Sequence, residues 1–313
     1  MKKVLITGPL GQDGILLTKL LQNDYKLYGA CKLNTDVEIV NNHKKLYDIE
    51  LLLSELSSFD YVKNLIATIQ PNIIVNFAGE TDVINPWQDT QKTFQQNFVI
   101  PANILNVIND LNLDTFFFQA SSSLMYGRSD QKIINENSNY KPMYPYGITK
   151  LSSHLLLNEY RHKFKLKGSS GIFFNHESFY RSDKFVSKKL SKLVANILRK
   201  NHKKIKLYDL NFYRDISHAN DFMKGVKIII DNQINDDFIF SSNVKTNLFD
   251  FSKKFFELHN LNFYDYIDYI DSNNYTNEYS IIGDNKKLKS IGWSPDYNID
   301  SLIFDMVNKE LEL

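Results

Sequence analysis

Tyr146 and Lys150, four residues apart in Tyr146-Gly147-Ile148-Thr149-Lys150, would share one face of a helix. A lysine ammonium beside a phenol favours the phenolate by opposite charge, so Lys150 is expected to lower the Tyr146 pKa, which would otherwise lie far above neutrality. A phenol tuned in this way takes a proton from an alcohol while hydride leaves the alcohol carbon, and a serine hydroxyl can hydrogen-bond the same oxygen. Ser122, in Ser121-Ser122-Ser123 at the end of a strand-like run, is the candidate serine. The chemistry is general-base oxidation of a hydroxyl or its reverse, and the same three groups serve either direction.

Hydride needs an acceptor. Gly8-Pro9-Leu10-Gly11-Gln12-Asp13-Gly14 follows the apolar run Val4 to Thr7 and precedes Ile15, Leu16, Leu17, Leu20 and Leu21 at helical spacing. Glycines between a strand and a helix let the backbone turn tightly and approach a pyrophosphate, whose charge meets the free amides and positive end of the helix. Gly8, Gly11, Gln12, Asp13 and Gly14 are therefore candidate dinucleotide contacts. Asp48-Ile49 is expected at the end of a third strand, where its carboxylate would hold an adenine amino group. Phe77, Ala78 and Gly79 close the next strand, with small residues where backbone must lie against a ribose.

These residues need a scaffold. Strands are expected at Tyr25 to Ala30, Ile73 to Ala78, Thr115 to Ala120 and Ser170 to Phe174, and helices at Phe59 to Gln70, Pro101 to Leu111 and Tyr146 to Phe164. Strands that are apolar throughout and separated by helices argue an α/β fold of Rossmann type, a doubly wound parallel sheet covered on both faces. The expected division is residues 1–174 for the dinucleotide and 175–313 mainly for a smaller, partly discontinuous substrate lobe, with some segments returning to the first domain. In the lobe a helix is expected at Lys184 to Arg199, a short strand at Lys206 to Tyr208 and a closing helix at Ser301 to Leu311.

Composition excludes several classes. Thirty-seven Lys and Arg against thirty-six Asp and Glu leave a net charge of +1, so no global field points to nucleic acid or an anionic membrane. The apolar run after Lys2-Lys3 stops at Thr7-Gly8-Pro9, too short for a signal or a spanning helix, and a cytoplasmic location is expected. Cys31, the single cysteine, excludes an intramolecular disulfide and reads as packing. The seven histidines lack metal-ligand spacing, so no metal is expected.

The chain resembles the extended short-chain dehydrogenase/reductase family, and most closely its GDP-mannose 4,6-dehydratase branch. The resemblance rests on Gly11-Gln12-Asp13-Gly14, Gln119 to Ser123 followed by Met125-Tyr126-Gly127, Tyr144-Pro145-Tyr146, Asn175-His176-Glu177-Ser178, Arg214-Asp215 with His218-Ala219, and Gly292-Trp293-Ser294-Pro295. It implies a nucleotide-sugar substrate, with Asn175, Lys189 and Arg214 at positions that hold the nucleotide diphosphate. Thr81 matches a hydroxyl that touches the sugar, and Ser122, Ser123 and Leu124 fall on the sugar's side of the site.

Three departures from the branch bear on the reaction. Dehydratases of the branch carry Glu two residues after the hydroxyl, where it removes the C5 proton; here that position is Leu124, which has no acid or base function. The expected reaction is then oxidation at C4 to a 4-keto sugar, and within the branch a GDP-manno-heptose 4-dehydrogenase serving surface polysaccharide or capsule synthesis. His176 and Glu177 are the candidates for a relocated base, which would restore 4,6-dehydration. Paired arginines that grip the NADP phosphate are reduced to Lys32, so tightly bound NAD in place of NADP, and a homodimer, are expected. Near Asn274 to Glu278, where the family places an Arg and a Glu for the nucleotide's phosphate and ribose, the residues are mostly Asn, Tyr and Thr, so guanine as the base is implied by the overall resemblance alone. A reduced cofactor would have to exchange or pass its hydride to a second substrate such as a small keto acid. A 4-ketoreductase and a dinucleotide-sensing regulator are the other functions weighed.

Overall fold

The computed structural model describes residues 1–80, 87–201, 204–271 and 280–313. Its centre is a seven-stranded sheet, all neighbours parallel: β1 (Lys3–Thr7), β2 (Lys26–Cys31), β3 (Glu50–Leu53), β4 (Ile73–Asn76), β5 (Phe116–Ser122), β6 (Gly168–Phe173) and β7 (Asp237–Phe240). The spatial order is β7-β6-β5-β4-β1-β2-β3, so chain order reverses beside β1. Ligands in open α/β sheets bind at that reversal, outside the carboxyl ends of the strands.

The strands pack as their composition requires. Phe116, Phe117 and Phe118 are all fully buried, because consecutive residues of a strand face opposite sides and both sides are covered. One face packs against helices Gln12–Leu21 and Ala219–Asn232 through Leu17, Leu21, Phe222, Val226 and Ile230. The other packs against Phe59–Ile69, Ile100–Asp110 and Pro145–Phe164 through Val62, Ile66, Ile104, Leu105 and Leu157. Each such apolar side chain contributes roughly 1.5–3 kcal/mol on burial. Cys31 is buried at the tip of β2, where desolvation pushes its thiol up to about 11, consistent with packing.

The C-terminal half has a second core, formed by helices Val186–Leu198, Leu248–Glu257 and Ile299–Leu311 around Leu190, Phe251, Phe255 and Met306. A three-stranded sheet of Lys245–Asn247, Tyr213–His218 and Asn175–Glu177 lies beside it. The helix Ala219–Asn232 and β7 return to the large sheet, so the C-terminal half contributes an edge strand to it. No helix among the described residues is long and apolar enough to cross a membrane.

Candidate active site

The dinucleotide turn is shaped by contact as well as by conformation. Gly8 has φ +69°, a left-handed value that side chains resist, and a Cβ there would lie 3.1 Å from the Ala78 amide nitrogen. At Gly14 a Cβ would fall 2.3 Å from the Gly8 carbonyl oxygen and 2.6 Å from Pro9 Cα. Gly11 differs: its nearest neighbour would be the Gly8 carbonyl at 3.5 Å. The protein's own packing does not demand that glycine, but a close-lying pyrophosphate would. Gly11 also leaves the helix Gln12–Leu21 without a side-chain N-cap, so its first amides are open to an anion. The turn thus fits a dinucleotide. Gly14→Ala is expected to cost at least about 1–3 kcal/mol by overpacking and to weaken cofactor retention, read by thermal melting and by absorbance of the purified protein.

The strand tips are held in register by a buried polar chain. Thr7 donates to Asn76 Oδ1 at 2.6 Å, Asn76 Nδ2 donates to Gln119 Oε1 at 2.9 Å, and the Ala78 amide donates to Thr7 Oγ1 at 3.0 Å. Phe77, Ala78 and Gly79 therefore follow β4 on the same edge as Gly8. Lys32 is exposed just beyond β2, also on that edge.

Asp48 and Ile49 are not on it. The register Tyr28↔Glu50 to Cys31↔Leu53 starts β3 at Glu50, so both residues precede the strand, at the opposite edge of the sheet. The Asp48 amide donates to Gln22, at the far end of the first helix, and Ile49 is buried in the core. The expected adenine contact is thus corrected. The segment taken as the end of a strand is the end of helix Val37–Leu46, capped by Asp36, and Ser54-Glu55-Leu56 stands where Asp48-Ile49 was expected. Ser54 Oγ is buried with no hydrogen-bond partner among the described residues. The triple leucine before Ser54 was the available signal for the true strand.

Tyr146 and Lys150 lie in the first turns of helix Pro145–Phe164, which opens with Pro at its first position. Lys150 is buried and donates to the Ala120 carbonyl at 2.9 Å, and its ammonium lies 5.8 Å from the Tyr146 ring. Ser122, at the tip of β5, favours the ionised Tyr146 phenol and accepts the Leu124 amide at 3.2 Å. The structure therefore brings together all three expected groups. Ser123 is buried behind them.

The direction of the Tyr146 shift departs from expectation. Burial raises this phenol above its usual value, and the Ser122 hydroxyl and the charge of Arg181 only partly offset it. Burial also pulls Lys150 down to about 8, opposed by the charge of Asp13. For both groups desolvation is the largest cause and sets the direction of the shift. Asp13 itself would be raised by burial, but His176, Arg181 and Gln12 together hold it below the usual carboxylate range.

Leu124 is the middle residue of a single turn, Ser123–Met125, and is half-buried. Its carbonyl lies 2.5 Å from where a Gly147 Cβ would sit, so this turn packs directly on the residue after Tyr146. Asn175 and Arg214 stand on adjacent strands, Asn175 pairing with Ile216. Arg214 donates to its neighbour's carbonyl at 2.9 Å and lies over the Phe212 ring at 4.4 Å. Asp215, by contrast, accepts from Ser242, Asn243 and Gly283. Lys189 is exposed in the first turn of Val186–Leu198, with no side-chain hydrogen bond or ion pair among the described residues. Thr81 and Asn274 to Glu278 lie outside the described residues.

Two residues of the site were not anticipated. Asn97, buried in a π-turn at Gln95–Val99, accepts the Glu80 amide at 2.9 Å and donates to the Glu80 carbonyl at 3.1 Å. Its Oδ1 would lie 2.5 Å from a Cβ on Gly79, which in turn would lie 3.6 Å from the Lys150 ammonium. An amide inside an apolar helical stripe, between Phe94 and Phe98, was its only signal. Arg181 stacks on Phe185 at 3.6 Å and pairs with Glu177 at 3.2 Å, and its charge reaches Asp13 and Tyr146. Nothing local marked it.

The sequence matches the family model described as GDP-mannose 4,6 dehydratase over residues 5–306. GDP-mannose 4,6 dehydratase 1 of Arabidopsis thaliana is 26% identical, the match taking in 100% of this chain and 90% of the plant protein. GDP-mannose 4,6 dehydratase 2 of Caenorhabditis elegans is 28% identical over 77% of this chain, which spans 66% of the nematode protein. A solved dTDP-glucose 4,6-dehydratase from Streptomyces venezuelae, with NAD bound, superposes with a TM-score of 0.84 at 15% identity, covering 99% of this chain and 97% of that one. At that identity the likeness concerns the fold.

Proposed function

The chain belongs to the GDP-mannose 4,6 dehydratase family, and from that premise we propose that it uses tightly held NAD to oxidise the C4 hydroxyl of a GDP-linked sugar, preferentially a manno-heptose, to a 4-keto sugar. The observation that carries this reading is Leu124: an alkyl side chain two residues beyond Ser122, on a turn whose backbone carbonyl packs against Gly147, beside an intact Ser122–Tyr146–Lys150 group. Bound NAD supplies the carbon that accepts hydride. Tyr146 takes the hydroxyl proton at its phenolic oxygen, Ser122 hydrogen-bonds the same substrate oxygen, and Lys150 keeps positive charge beside the phenolate.

Other parts of the proposal follow from placement. Residues 1–174 carry the dinucleotide and 175–313 mainly the sugar nucleotide, with Ala219 to Phe240 returning to the first unit. Lys32 alone beyond β2 makes a poor clamp for an extra phosphate, which favours NAD over NADP. Exposed Phe94, Ile148 and Leu155 on neighbouring helices support a homodimer. Reduced cofactor would be cleared by exchange of NADH for NAD, or a small keto acid bound in the same site would take the hydride.

The names of the relatives favour a second reading, 4,6-dehydration with a relocated base. Both candidate bases have their polar atoms engaged. Glu177 is buried and accepts from Ser187 at 2.5 Å beside Arg181, and His176 is held between Asp13 and the Phe174 carbonyl. Incubating the protein with GDP-mannose and GDP-manno-heptose and weighing the product separates the readings. A product lighter by two hydrogens supports oxidation alone, and one lighter by a water overturns it in favour of dehydration.

A further inference from the structure

The dinucleotide turn is bolted to the strand that opens the substrate half. Gln12 Nε2 donates to the His176 carbonyl at 3.2 Å, and Ser178 Oγ donates to Gln12 Oε1 at 2.9 Å. Between them His176 Nε2 lies 3.1 Å from both carboxylate oxygens of Asp13, while His176 Nδ1 lies 2.8 Å from the Phe174 carbonyl. A carbonyl only accepts, and so does an ionised carboxylate. Both ring nitrogens therefore have to carry hydrogens, which makes His176 an imidazolium. A neutral ring that keeps its Nδ1 hydrogen on Phe174 would turn a lone pair toward two anionic oxygens.

The position of this pair gives it a consequence. Asp13 is in the first turn of the helix whose uncapped amides face the expected pyrophosphate, and its charge is felt at Lys150 and Tyr146 across the cleft. An unpaired carboxylate there would repel a diphosphate; paired with an imidazolium it is neutralised. We propose that Asp13 and His176 are positioning residues that form a charge-compensated bolt for the dinucleotide, closed while His176 is protonated and released when it is not. The proposal rests on the reading of this turn as a dinucleotide site.

Several charges bear on the titration. His176 faces Asp13 from the first helix and Arg181 from the segment that follows its strand, with Glu177 next to it on its own strand and Phe173 and Phe222 against its ring. Burial depresses its pKa and Arg181 opposes protonation, yet Asp13 outweighs both and the net shift is upward. A histidine raised in the folded protein contributes fully below its unfolded value, and that contribution is lost as pH rises through the raised folded value. The bolt thus stays closed to a higher pH than an ordinary histidine would hold it, and opens as pH rises through the raised value.

The test is the rate at which NADH leaves the loaded protein, followed by its fluorescence during a chase with excess NAD from about pH 6 to about pH 10. In the wild type, release is expected to accelerate on the order of tenfold across the titration, the factor that one unit of linked shift produces. Lys150 titrates in the same range, so its share is separated by Asp13→Asn, which leaves Lys150 in place and should remove most of the acceleration. His176→Gln, a neutral donor, should release NADH at the fast alkaline rate at every pH. Release that ignores pH in the wild type, a measurement that needs no variant, overturns the bolt, as does acceleration undiminished in Asp13→Asn. Failure of the stripped protein to bind NADH at any pH overturns the dinucleotide reading itself.

Discussion

Replacing Tyr146 by Phe is expected to slow hydride transfer by about 10²–10⁴-fold, the usual contribution of a positioned general base. The substitution removes one oxygen and leaves the ring that fills this part of the cleft. Lys150 is anchored to the Ala120 carbonyl and not to the phenol, so its position survives the change. Cofactor retention should therefore be unaltered while the single-turnover rise in NADH absorbance slows. A rate within about threefold of wild type would mean that another group takes the proton.

The pH profile provides a second signature of the same residue. Because burial raises the phenol, the phenolate fraction, and the rate with it, climbs as pH rises from neutrality. The climb should be blunted above about 8, where Lys150 loses the proton that favours the phenolate. Tyr146→Phe should flatten this dependence. A wild-type profile with no rise on the alkaline side would contradict the assignment of Tyr146 as base.

Leu124→Glu carries the other large effect, a change of product. The backbone at this position is held at both ends of the residue, its amide by Ser122 Oγ at 3.2 Å and its carbonyl against Gly147. A glutamate there would start from a backbone held next to Ser122 and Gly147, and is expected to take an acidic C–H proton of the 4-keto sugar. A general base is worth about 10²–10⁴-fold, enough to bring a water-loss product from trace to readily detected. Mass analysis of the variant's products should show a species lighter by a water beside the species lighter by two hydrogens. A wild type that already loses water would show that Leu124 does not set the outcome.

Much of the site was legible before any coordinates because its parts are local. Tyr146 and Lys150 needed only the helical repeat, and Gly8, Gly11 and Gly14 needed only a strand before them and a helix after. The alternation of apolar runs and helical stripes was enough for a doubly wound sheet. The misplaced residues were those whose assignment depended on which end of a strand they occupied. Asp48 and Ile49 lie close in sequence to the carboxyl end of β3, but the pairing of β2 with β3 starts at Glu50 and leaves them at the opposite edge of the sheet.

What the sequence determined by itself was the chemistry of single elements, since spacing within a strand or helix follows from its repeat alone. Tertiary structure decided three things that no local pattern encodes. It set the sheet edge of each loop through register, and it joined Asp13 to His176 across 163 residues. It also turned the Tyr146 shift upward, because the cost of burying a charge depends on neighbours brought in from distant parts of the chain.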